Sequence, residues 1–198
     1  MDYIDIHLIR HGQIAVQPGT LVGATDVPLT SQGRAAMRGL GPLLPRKMHC
    51  LCSPMQRTRQ SLDSLTPFCN PASVELIDAL REMDFGDYEM RSWQELVDAG
   101  EDLGSMAKAY HHYAFPGGEA VADFAARLEQ VVGMLHGHRE HGRSLLLISH
   151  GGVIRTLICL LLGLDISNYL LFEVGYGSWT TVRLFAEGGV LTRLNHQP

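Results

Sequence analysis

The stretch IHLIRHG, residues 6–12, runs from an apolar segment directly into an arginine, a histidine and a glycine. A second stretch, LLLISHGG at 145–152, repeats the pattern with a serine, a histidine and two glycines. Both apolar segments are typical of strands buried on both faces, as in a parallel sheet covered by helices. Because ligands of such sheets bind beyond the carboxyl ends of the strands, we expect Arg10, His11 and His150 to lie close together.

Strand and helix patterns alternate along the rest of the chain. The motif Ser53-Pro54-x-Gln56 combines an N-cap, a proline at the first helical position and a capping-box partner, and 92–95 holds a second capping box. This alternation predicts a three-layer α/β sandwich with a mostly parallel central sheet. The patterns predict strands at 3–9, 48–52, 74–77 and 145–149, C-terminal strands joined by a hairpin at 187–189, and helices at 30–44, 53–65, 92–100, 119–137 and 153–162.

Composition and charge argue against several classes of protein. The chain has 198 residues, 45% of them hydrophobic, so we expect one domain over 1–198 with a sizeable core. The formal net charge of −5 argues against a nucleic-acid binder. The longest apolar runs, 145–148 and 158–162, are too short to span a membrane, and the N-terminus does not resemble a signal peptide. The four cysteines lack zinc or redox spacing, so we expect reduced thiols and a cytoplasmic protein.

Each motif taken alone has a plain structural explanation. The residues at 10–12 could be a polar strand end entering solvent, and His150 could be a core histidine with satisfied hydrogen bonds. Arg57 could lie on a solvated helix face, although helix N-termini attract anions and arginine binds phosphate with two parallel hydrogen bonds. The acidic segment 80–89 could be a surface loop, or it could hold a carboxylate for general acid–base catalysis.

Together these motifs point to one site. Two histidines, two arginines and a carboxylate follow strands that end at the same edge. The glycines after His150, beginning with Gly151, let the N–H groups of the next helix approach a ligand closely. No cysteine joins them, and the acids are not spaced to act with the histidines as metal ligands, so we expect neither a metal nor another cofactor. Cations with a nucleophile and an acid favour metal-free phosphoryl transfer.

In the order in which they occur, the motifs resemble the histidine phosphatase superfamily, also called phosphoglycerate mutase-like. Within it, the chain is most similar to bacterial alpha-ribazole phosphatases of cobalamin assembly, on REMDFGDYEM, FPGGE and the late GSW. The fold that this resemblance implies is the phosphoglycerate mutase-like sandwich, with a small helical cap at about 84–140 before the last core strands. The resemblance covers nearly the whole chain and rests on LIRHG at 8–12, DVPLTSQG at 26–33, SPMQRTRQS at 53–61, LREMDFGDYE at 80–89, FPGGE at 115–119 and SHGGVIR at 149–155.

The resemblance also implies a role for each motif residue. His11 would attack phosphorus and form a phosphohistidine, while Arg10 and Arg57 would grip the phosphoryl oxygens. His150 would donate hydrogen bonds to the same oxygens. Glu82 would protonate the leaving alcohol and then help water to attack the phosphoenzyme. These roles agree with the chemistry, since the attacking imidazole must be neutral and charge spread over three oxygens needs fixed cations.

Three further positions are expected to contact the substrate. The family often has Glu-Thr after Arg-His-Gly and a phosphate-contacting asparagine five residues after the glycine, where this chain has Gln13, Ile14 and Gln17. The Gln17 amide can still donate a hydrogen bond, from one methylene further out. Gly23 matches a family glycine whose backbone approaches the substrate, and Gly151 opens the helix beside the site.

Other residues have competing explanations. The histidines within 136–141 resemble metal ligands, but cationic side chains also suit a helix C-terminus. Arg155 matches the family, yet its place one helical turn inward favours a structural role. Four aromatic residues could wall the substrate site or only fill the core: Trp93, Tyr110, Tyr113 and Phe115.

The predicted function is that of a phosphomonoesterase whose preferred small-molecule ester is alpha-ribazole 5′-phosphate. Phosphatases of the same machinery that act on sugar phosphates or on many small esters stay open. A phosphoglycerate mutase fits less well, because the segment between Glu82 and His150 is short for a cap that retains the phosphoenzyme. A phosphate-binding protein without catalysis would lack one of the site residues. The hydrophobic C-terminal strands could close the sheet or pair with another copy, which leaves a homodimer open.

Overall fold

The computed structural model describes residues 3–104, 110–138 and 144–198. Short 3-10 turns lie at 41–43, 78–80, 86–88, 110–112 and 166–171. Within the described ranges the strands are β1 (Ile4–Arg10), β2 (His49–Cys52), β3 (Ser73–Leu76), β4 (Ser144–Ser149), β5 (Trp179–Leu184) and β6 (Gly189–His196). The helices are α1 (Ser31–Leu40), α2 (Gln56–Cys69), α3 (Trp93–Asp98), α4 (Val121–Gly137) and α5 (Gly151–Leu162).

The six strands form one sheet in the order β3-β2-β4-β1-β5-β6. Strands β3, β2, β4 and β1 are parallel, whereas β5 runs antiparallel to β1 and β6 antiparallel to β5. Strands β1 and β4 are direct neighbours, with Arg10 opposite Ser149. The two histidine-glycine motifs therefore leave the sheet side by side, as the sequence predicts.

Helices cover both faces of the sheet and create two hydrophobic cores. On one face, Ile6 and Leu8 of β1 belong to a core that includes Phe124 of α4 and Ile158 of α5. On the other face, Ile9 belongs to a core built with α1 and α2. Strand β1 is buried on both sides because both sides are covered, although the second side carries His7 as well as Ile9. The predicted three-layer, mostly parallel sandwich is confirmed.

The start of α2 differs from the prediction. The hydroxyl of Ser53 does not cap the helix but forms a hydrogen bond with His150 in the site, and the helix begins only at Gln56. The carboxylate of Asp26 takes over the capping role and accepts from the Gln56 N–H with both oxygens at 2.9 Å. The helix also ends later than predicted, at Cys69. A tertiary partner thus outcompetes the local capping motif.

Other predicted helix ends are confirmed. Thr30 caps α1 by accepting from the Gly33 N–H at 2.9 Å. Ser92 and Glu95 form the reciprocal capping box at the start of α3. The predicted hairpin joins β5 to β6. Helix α1 is shorter than predicted, because a proline-containing 3-10 turn takes over after Leu40.

The segment 84–140, predicted as a cap, is described over 84–104 and 110–138. Its first part holds the 3-10 turn at 86–88 and the short helix α3. Its last part is α4, where Val121 and Leu128 are fully buried in the core shared with β1 and β4. Helix α4 is therefore part of the layer that covers the sheet.

Two features of the chain bear on earlier expectations about its surroundings. In the described ranges, no helix is both long enough and apolar enough to cross a membrane. The four cysteines are free and buried. Burial raises the pKa of the Cys52 thiol to about 12, which keeps it protonated at neutral pH.

Candidate active site

His11 is held as a neutral imidazole just after β1. Its Nδ1 donates to the carbonyl oxygen of Gly12 at 2.8 Å, which leaves the lone pair on Nε2. The side chain is buried, and burial lowers its pKa well below 6.5, assisted by the cations Arg10 and Arg57. The ring is therefore uncharged at neutral pH, as a nucleophilic imidazole must be.

His150 follows β4 and is held from both sides. The Nε of Arg57 donates to Nδ1 of His150 at 3.1 Å. Because arginine only donates, the single proton of the neutral ring lies on Nε2, which donates to Ser53 Oγ at 2.8 Å. Burial, and then the charge of Arg57, lowers the pKa of His150 well below 6.5. The His150 and His11 rings are centred 5.2 Å apart.

Arg57 is completely buried, and its guanidinium nitrogens donate hydrogen bonds to acceptors within the protein. In addition to the Nε bond to His150, Nη1 donates to the Thr25 carbonyl and Nη2 to the Gly23 carbonyl, each at 2.8 Å. Burial lowers the pKa of the guanidinium, yet arginine stays charged at neutral pH. Arg57 thus ties α2 to the loop at 22–26 and to the second histidine.

Arg10 lies beside His11 at the end of β1. Its Nη1 donates to the Val174 carbonyl at 2.7 Å, and its guanidinium lies 3.9 Å above the Tyr176 ring. A β-carbon on Gly151 would stand only 3.3 Å from this guanidinium. Among the described residues, Nε of Arg10 is buried without an acceptor. An unpaired buried donor next to His11 is a ready partner for a phosphoryl oxygen.

Glu82 reaches the site from the loop after β3. Its Oε2 accepts from the Gly152 N–H at 3.0 Å, at the N-terminus of α5, and its Oε1 accepts from the Met83 N–H at 3.1 Å. A β-carbon on Gly152 would come within 2.6 Å of Oε1, so only glycine admits the carboxylate at this place. The half-buried carboxylate is therefore fixed by the backbone while facing the cavity.

A cavity of about 600 Å³ opens beside these groups. Arg10, His11 and Glu82 line it together, whereas Arg57 and His150 do not. Aromatic side chains form much of the remaining wall, and a cavity of this size accommodates a nucleoside-sized ligand. These aromatic residues are Phe85, Trp93, Tyr110, Phe115, Phe124, Tyr169 and Tyr176.

The likeness to known proteins agrees with this arrangement. Residues 6–197 match the profile of the histidine phosphatase superfamily (branch 1). The chain belongs to the histidine phosphatase superfamily. The predicted superfamily, with its phosphatase class of chemistry, is thereby confirmed.

Several relatives within the histidine phosphatase superfamily are alpha-ribazole phosphatases. The adenosylcobalamin/alpha-ribazole phosphatase of Escherichia coli K12 is 29% identical over 192 residues, which cover 95% of this chain and 94% of that protein. The enzyme of the same name from Salmonella typhimurium is 28% identical with the same coverage. The crystal structure of the alpha-ribazole phosphatase from Shigella flexneri superposes with a TM-score of 0.85 at 28% identity, covering 98% of this chain and 96% of that one. The predicted likeness within the superfamily is confirmed.

Sequence reasoning identifies only part of the cavity wall of this histidine phosphatase. Gln17 and Gly151 line the cavity, as do three of the four aromatic residues singled out. The fourth, Tyr113, lies behind the wall and packs edge-on against Phe115, with ring centres 5.1 Å apart. Arg155, interpreted as structural, also lines the cavity. Phe85, Tyr169 and Tyr176 were missed: Phe85 lies within the recognised motif at 80–89, whereas the two tyrosines carry no local signal that separates them from core residues.

Gly23 occupies a supporting place instead of the cavity surface. Its N–H donates to both carboxylate oxygens of Glu89, at 3.0 and 3.1 Å, and its carbonyl accepts from Arg57. A β-carbon here would stand 1.8 Å from the Met83 carbonyl oxygen, so the close approach of two loops requires glycine. The neighbouring Val22, and not Gly23, lines the cavity.

Arg127 of α4 supports the loop that carries Glu82. Its guanidinium donates to the carbonyls of Ala79 at 2.6 Å, Arg81 at 2.8 Å and Glu82 at 3.2 Å. It also forms a two-pronged ion pair with Glu119, at 2.7 and 3.0 Å. Glu119 lies in the recognised motif FPGGE, whereas Arg127 lies in none. The sequence therefore points to one partner of this ion pair and not to the other.

The histidines that resemble metal ligands do not assemble a centre in the described ranges. No group of three or more His, Cys, Asp or Glu side chains there could hold a metal ion. His136 lies in the last turn of α4 and His138 caps its C-terminus, while His141 lies outside the described residues.

Proposed function

We propose that the protein is a phosphomonoesterase that forms a phosphohistidine on Nε2 of His11. The observation that carries this proposal is the neutral, buried His11, whose Nδ1 proton is fixed by Gly12 while Nε2 keeps its lone pair. A nucleophile so prepared lies in one cavity wall with a cation, Arg10, and an acid, Glu82. Phosphoryl transfer needs these three functions and little else from the protein.

In the first step, Nε2 of His11 attacks phosphorus and the bond from phosphorus to the ester oxygen breaks. Glu82, protonated at this stage, gives its proton to the departing alkoxide, so that the alcohol leaves neutral. Arg10 stabilises the negative charge on the non-bridging oxygens with its guanidinium, whose Nε has no acceptor among the described residues.

In the second step, water attacks the phosphohistidine. Glu82, now a carboxylate, takes a proton from the water, and the bond from nitrogen to phosphorus breaks. Inorganic phosphate leaves, His11 returns to its neutral form and Glu82 is again protonated. The cycle consumes one ester and one water and yields one alcohol and one phosphate.

Arg57 and His150 are proposed to act on the same phosphoryl group. Their hydrogen bonds in the unliganded structure are made to protein: Arg57 to the loop at 22–26, and His150 to Ser53. Direct donation to a phosphoryl oxygen requires each to exchange one of these partners. Until that exchange, Arg57 contributes as a fixed buried charge.

The proposed substrate is alpha-ribazole 5′-phosphate, hydrolysed to alpha-ribazole and phosphate in cobalamin biosynthesis. Two features support this choice: the alpha-ribazole phosphatases among the relatives, and a cavity with an aromatic wall that suits a heterocyclic base. The enzyme is proposed to work in the cytoplasm, in keeping with its free thiols.

A second candidate is a phosphatase that acts on sugar phosphates. The observation that favours it is the polar part of the cavity wall, where Gln13, Gln17 and Arg155 offer donors to hydroxyl and carboxylate oxygens. Hydrolysis of such esters would use the same His11 and Glu82 chemistry.

The deciding experiment is a kcat/KM panel with purified enzyme. The panel includes alpha-ribazole 5′-phosphate, ribose 5-phosphate, 3-phosphoglycerate and nucleotides, with His11→Ala as the inactive control. We expect alpha-ribazole 5′-phosphate to be preferred by more than about tenfold, equivalent to about 1.4 kcal/mol. A smaller preference would contradict the assignment of alpha-ribazole 5′-phosphate as the preferred substrate. Interconversion of 3-phosphoglycerate and 2-phosphoglycerate would identify a mutase. Quenching with an alkaline denaturant within the first turnovers should trap a phosphohistidine, stable in base and labile in acid, that His11→Ala lacks.

A further inference from the structure

Arg155 is a cation in the cavity wall that the proposed chemistry does not use. It is half-buried on α5, and its Nε donates to the Phe172 carbonyl at 3.0 Å. No described residue accepts a hydrogen bond from its two Nη atoms, and neither is a buried unpaired atom. The guanidinium is therefore anchored at one nitrogen, and Arg155 lines a cavity that a ligand can enter.

The position of Arg155 along the helix places it beyond the phosphoryl group. Gly151, in the first turn of α5, lies against the guanidinium of Arg10, where the phosphoryl oxygens are proposed to bind. Arg155 follows four residues later, which corresponds to about 6 Å along the helix axis. A side chain at that distance meets the leaving group of a bound ester.

The neighbourhood of Arg155 is prepared for a planar or sugar-sized group. Tyr169 and Tyr110 line the same cavity as Arg155, and their rings stack with centres 4.7 Å apart and 12° between their planes. Burial raises the pKa of Tyr169 and lowers the pKa of Arg10, and the positive charge of Arg155 acts to lower both, as expected for residues that line one cavity. Leu170, 70% exposed, lies at the mouth.

We propose that Arg155 is a specificity-determining residue that binds oxygen acceptors on the leaving group, such as the hydroxyls of a sugar phosphate. This inference rests on the proposed function, because it assigns the subsite next to the scissile ester. A guanidinium presents paired donors in a fixed plane, which match vicinal hydroxyls or a carboxylate, and lysine cannot reproduce that geometry.

The test compares Arg155→Met with wild type on esters that differ beyond the phosphate. Ribose 5-phosphate offers hydroxyls, 3-phosphoglycerate offers a carboxylate, and phenyl phosphate offers no oxygen acceptor beyond the ester. We expect kcat/KM to fall by about tenfold to a hundredfold for ribose 5-phosphate, mainly through a higher KM, and by less than about threefold for phenyl phosphate. Arg155→Lys should restore little of the loss. Arg59→Met, an exposed arginine on α2, is the matched control.

Binding to the His11→Ala variant separates this inference from the proposed reaction. Calorimetry with ribose 5-phosphate and phenyl phosphate, with and without Arg155→Met, reads out the subsite even where no ester is hydrolysed. An equal loss for both ligands would overturn the inference and leave Arg155 as a brace for the Phe172 segment, as would no loss for either. A loss confined to 3-phosphoglycerate would show that Arg155 binds an anionic group, and so overturn its assignment to the hydroxyls of a sugar phosphate.

Discussion

The Nε of Arg57 donates to Nδ1 of His150 at 3.1 Å, and this contact decides where the proton of His150 lies. Since a guanidinium has no lone pair to offer, Nδ1 must accept and Nε2 must carry the proton. Ser53 Oγ accepts the hydrogen bond from Nε2–H at 2.8 Å. The second histidine of the site is therefore oriented by a serine on one side and by an arginine on the other.

Substituting Ser53→Ala should release His150 from this fixed orientation. We expect kcat to fall about tenfold with KM little changed, because one hydrogen bond to a buried group is worth about 1–1.5 kcal/mol. Steady-state kinetics give the kcat and KM values, and ¹⁵N NMR of the His150 ring should show a shifted Nε2 resonance, because Nε2–H loses its acceptor while Arg57 still holds Nδ1.

Ser64→Ala is the matched control for that substitution. Ser64 is buried on the same helix, α2, and donates only to the Gln60 carbonyl within its own helix. Equal kcat values for the two variants, or an unchanged His150 spectrum in Ser53→Ala, would contradict the positioning role of Ser53.

Glu82→Gln should reveal the proton transfer to the leaving group. The amide oxygen can still accept from the Gly152 N–H, but the side chain no longer exchanges a proton. For alkyl esters we expect kcat to fall by about 10²–10⁴, the usual contribution of general acid–base catalysis. p-Nitrophenyl phosphate should lose much less in the first step, because its phenolate leaves without protonation. A burst of p-nitrophenol in rapid-mixing experiments with Glu82→Gln checks this. An equal loss of the first-step rate for both substrates would exclude Glu82 as the acid.

His7 should make the fold less stable in mild acid. Its Nδ1 accepts from Trp179 Nε1 at 3.2 Å, and burial lowers its pKa to about 4. The unfolded chain takes up this proton near pH 6.5 and the folded chain only near pH 4. The free energy of unfolding therefore stays high above pH 6.5 and falls as the pH drops towards 4, by about 3 kcal/mol for a shift of this size.

Denaturant titrations between pH 4 and 7 measure this effect. In His7→Gln the fall in unfolding free energy over that range should be smaller, whereas the exposed His49→Gln should follow wild type. Parallel curves for His7→Gln and wild type would show that His7 does not cause the acid sensitivity.

Glu89→Gln should loosen the loop that orients Arg57. The Glu89 carboxylate accepts from the N–H groups of Gly23, Ala24, Thr25 and Phe85, and an amide has only one acceptor oxygen. We expect unfolding free energy to fall by about 1–3 kcal/mol, with a parallel loss in kcat/KM. Thermal denaturation and kinetics give both values. Glu129→Gln, on the exposed side of α4, should change neither.

The sequence predicts the meeting of Arg10, His11 and His150 because the direction of a parallel strand can be inferred from its apolar pattern. Once β1 and β4 are both buried and parallel, their carboxyl ends share an edge, and the residues after them become neighbours. No contact between side chains has to be known for that step.

Contacts between distant loops cannot be predicted in the same way. The bonds from Glu89 to Gly23, 66 residues apart, and from Arg127 to the Glu82 loop depend on packing that no local pattern encodes. The same reason explains the misplaced start of α2: Ser53 fits a capping motif by sequence, but His150 competes for its hydroxyl. Tertiary partners outweigh local preferences where the functional groups assemble.

The position of β1 in the sheet has a consequence for how the protein is made. Its neighbours on the two sides, β4 and β5, come from the last third of the chain, with Leu8 opposite Leu147 on one side and Thr180 on the other. A ribosome therefore releases β1, the strand that precedes His11, long before either neighbour exists. Strand β1 therefore stays unpaired during most of translation. Its apolar side chains are exposed in the nascent chain for that time, and chaperones commonly bind such segments.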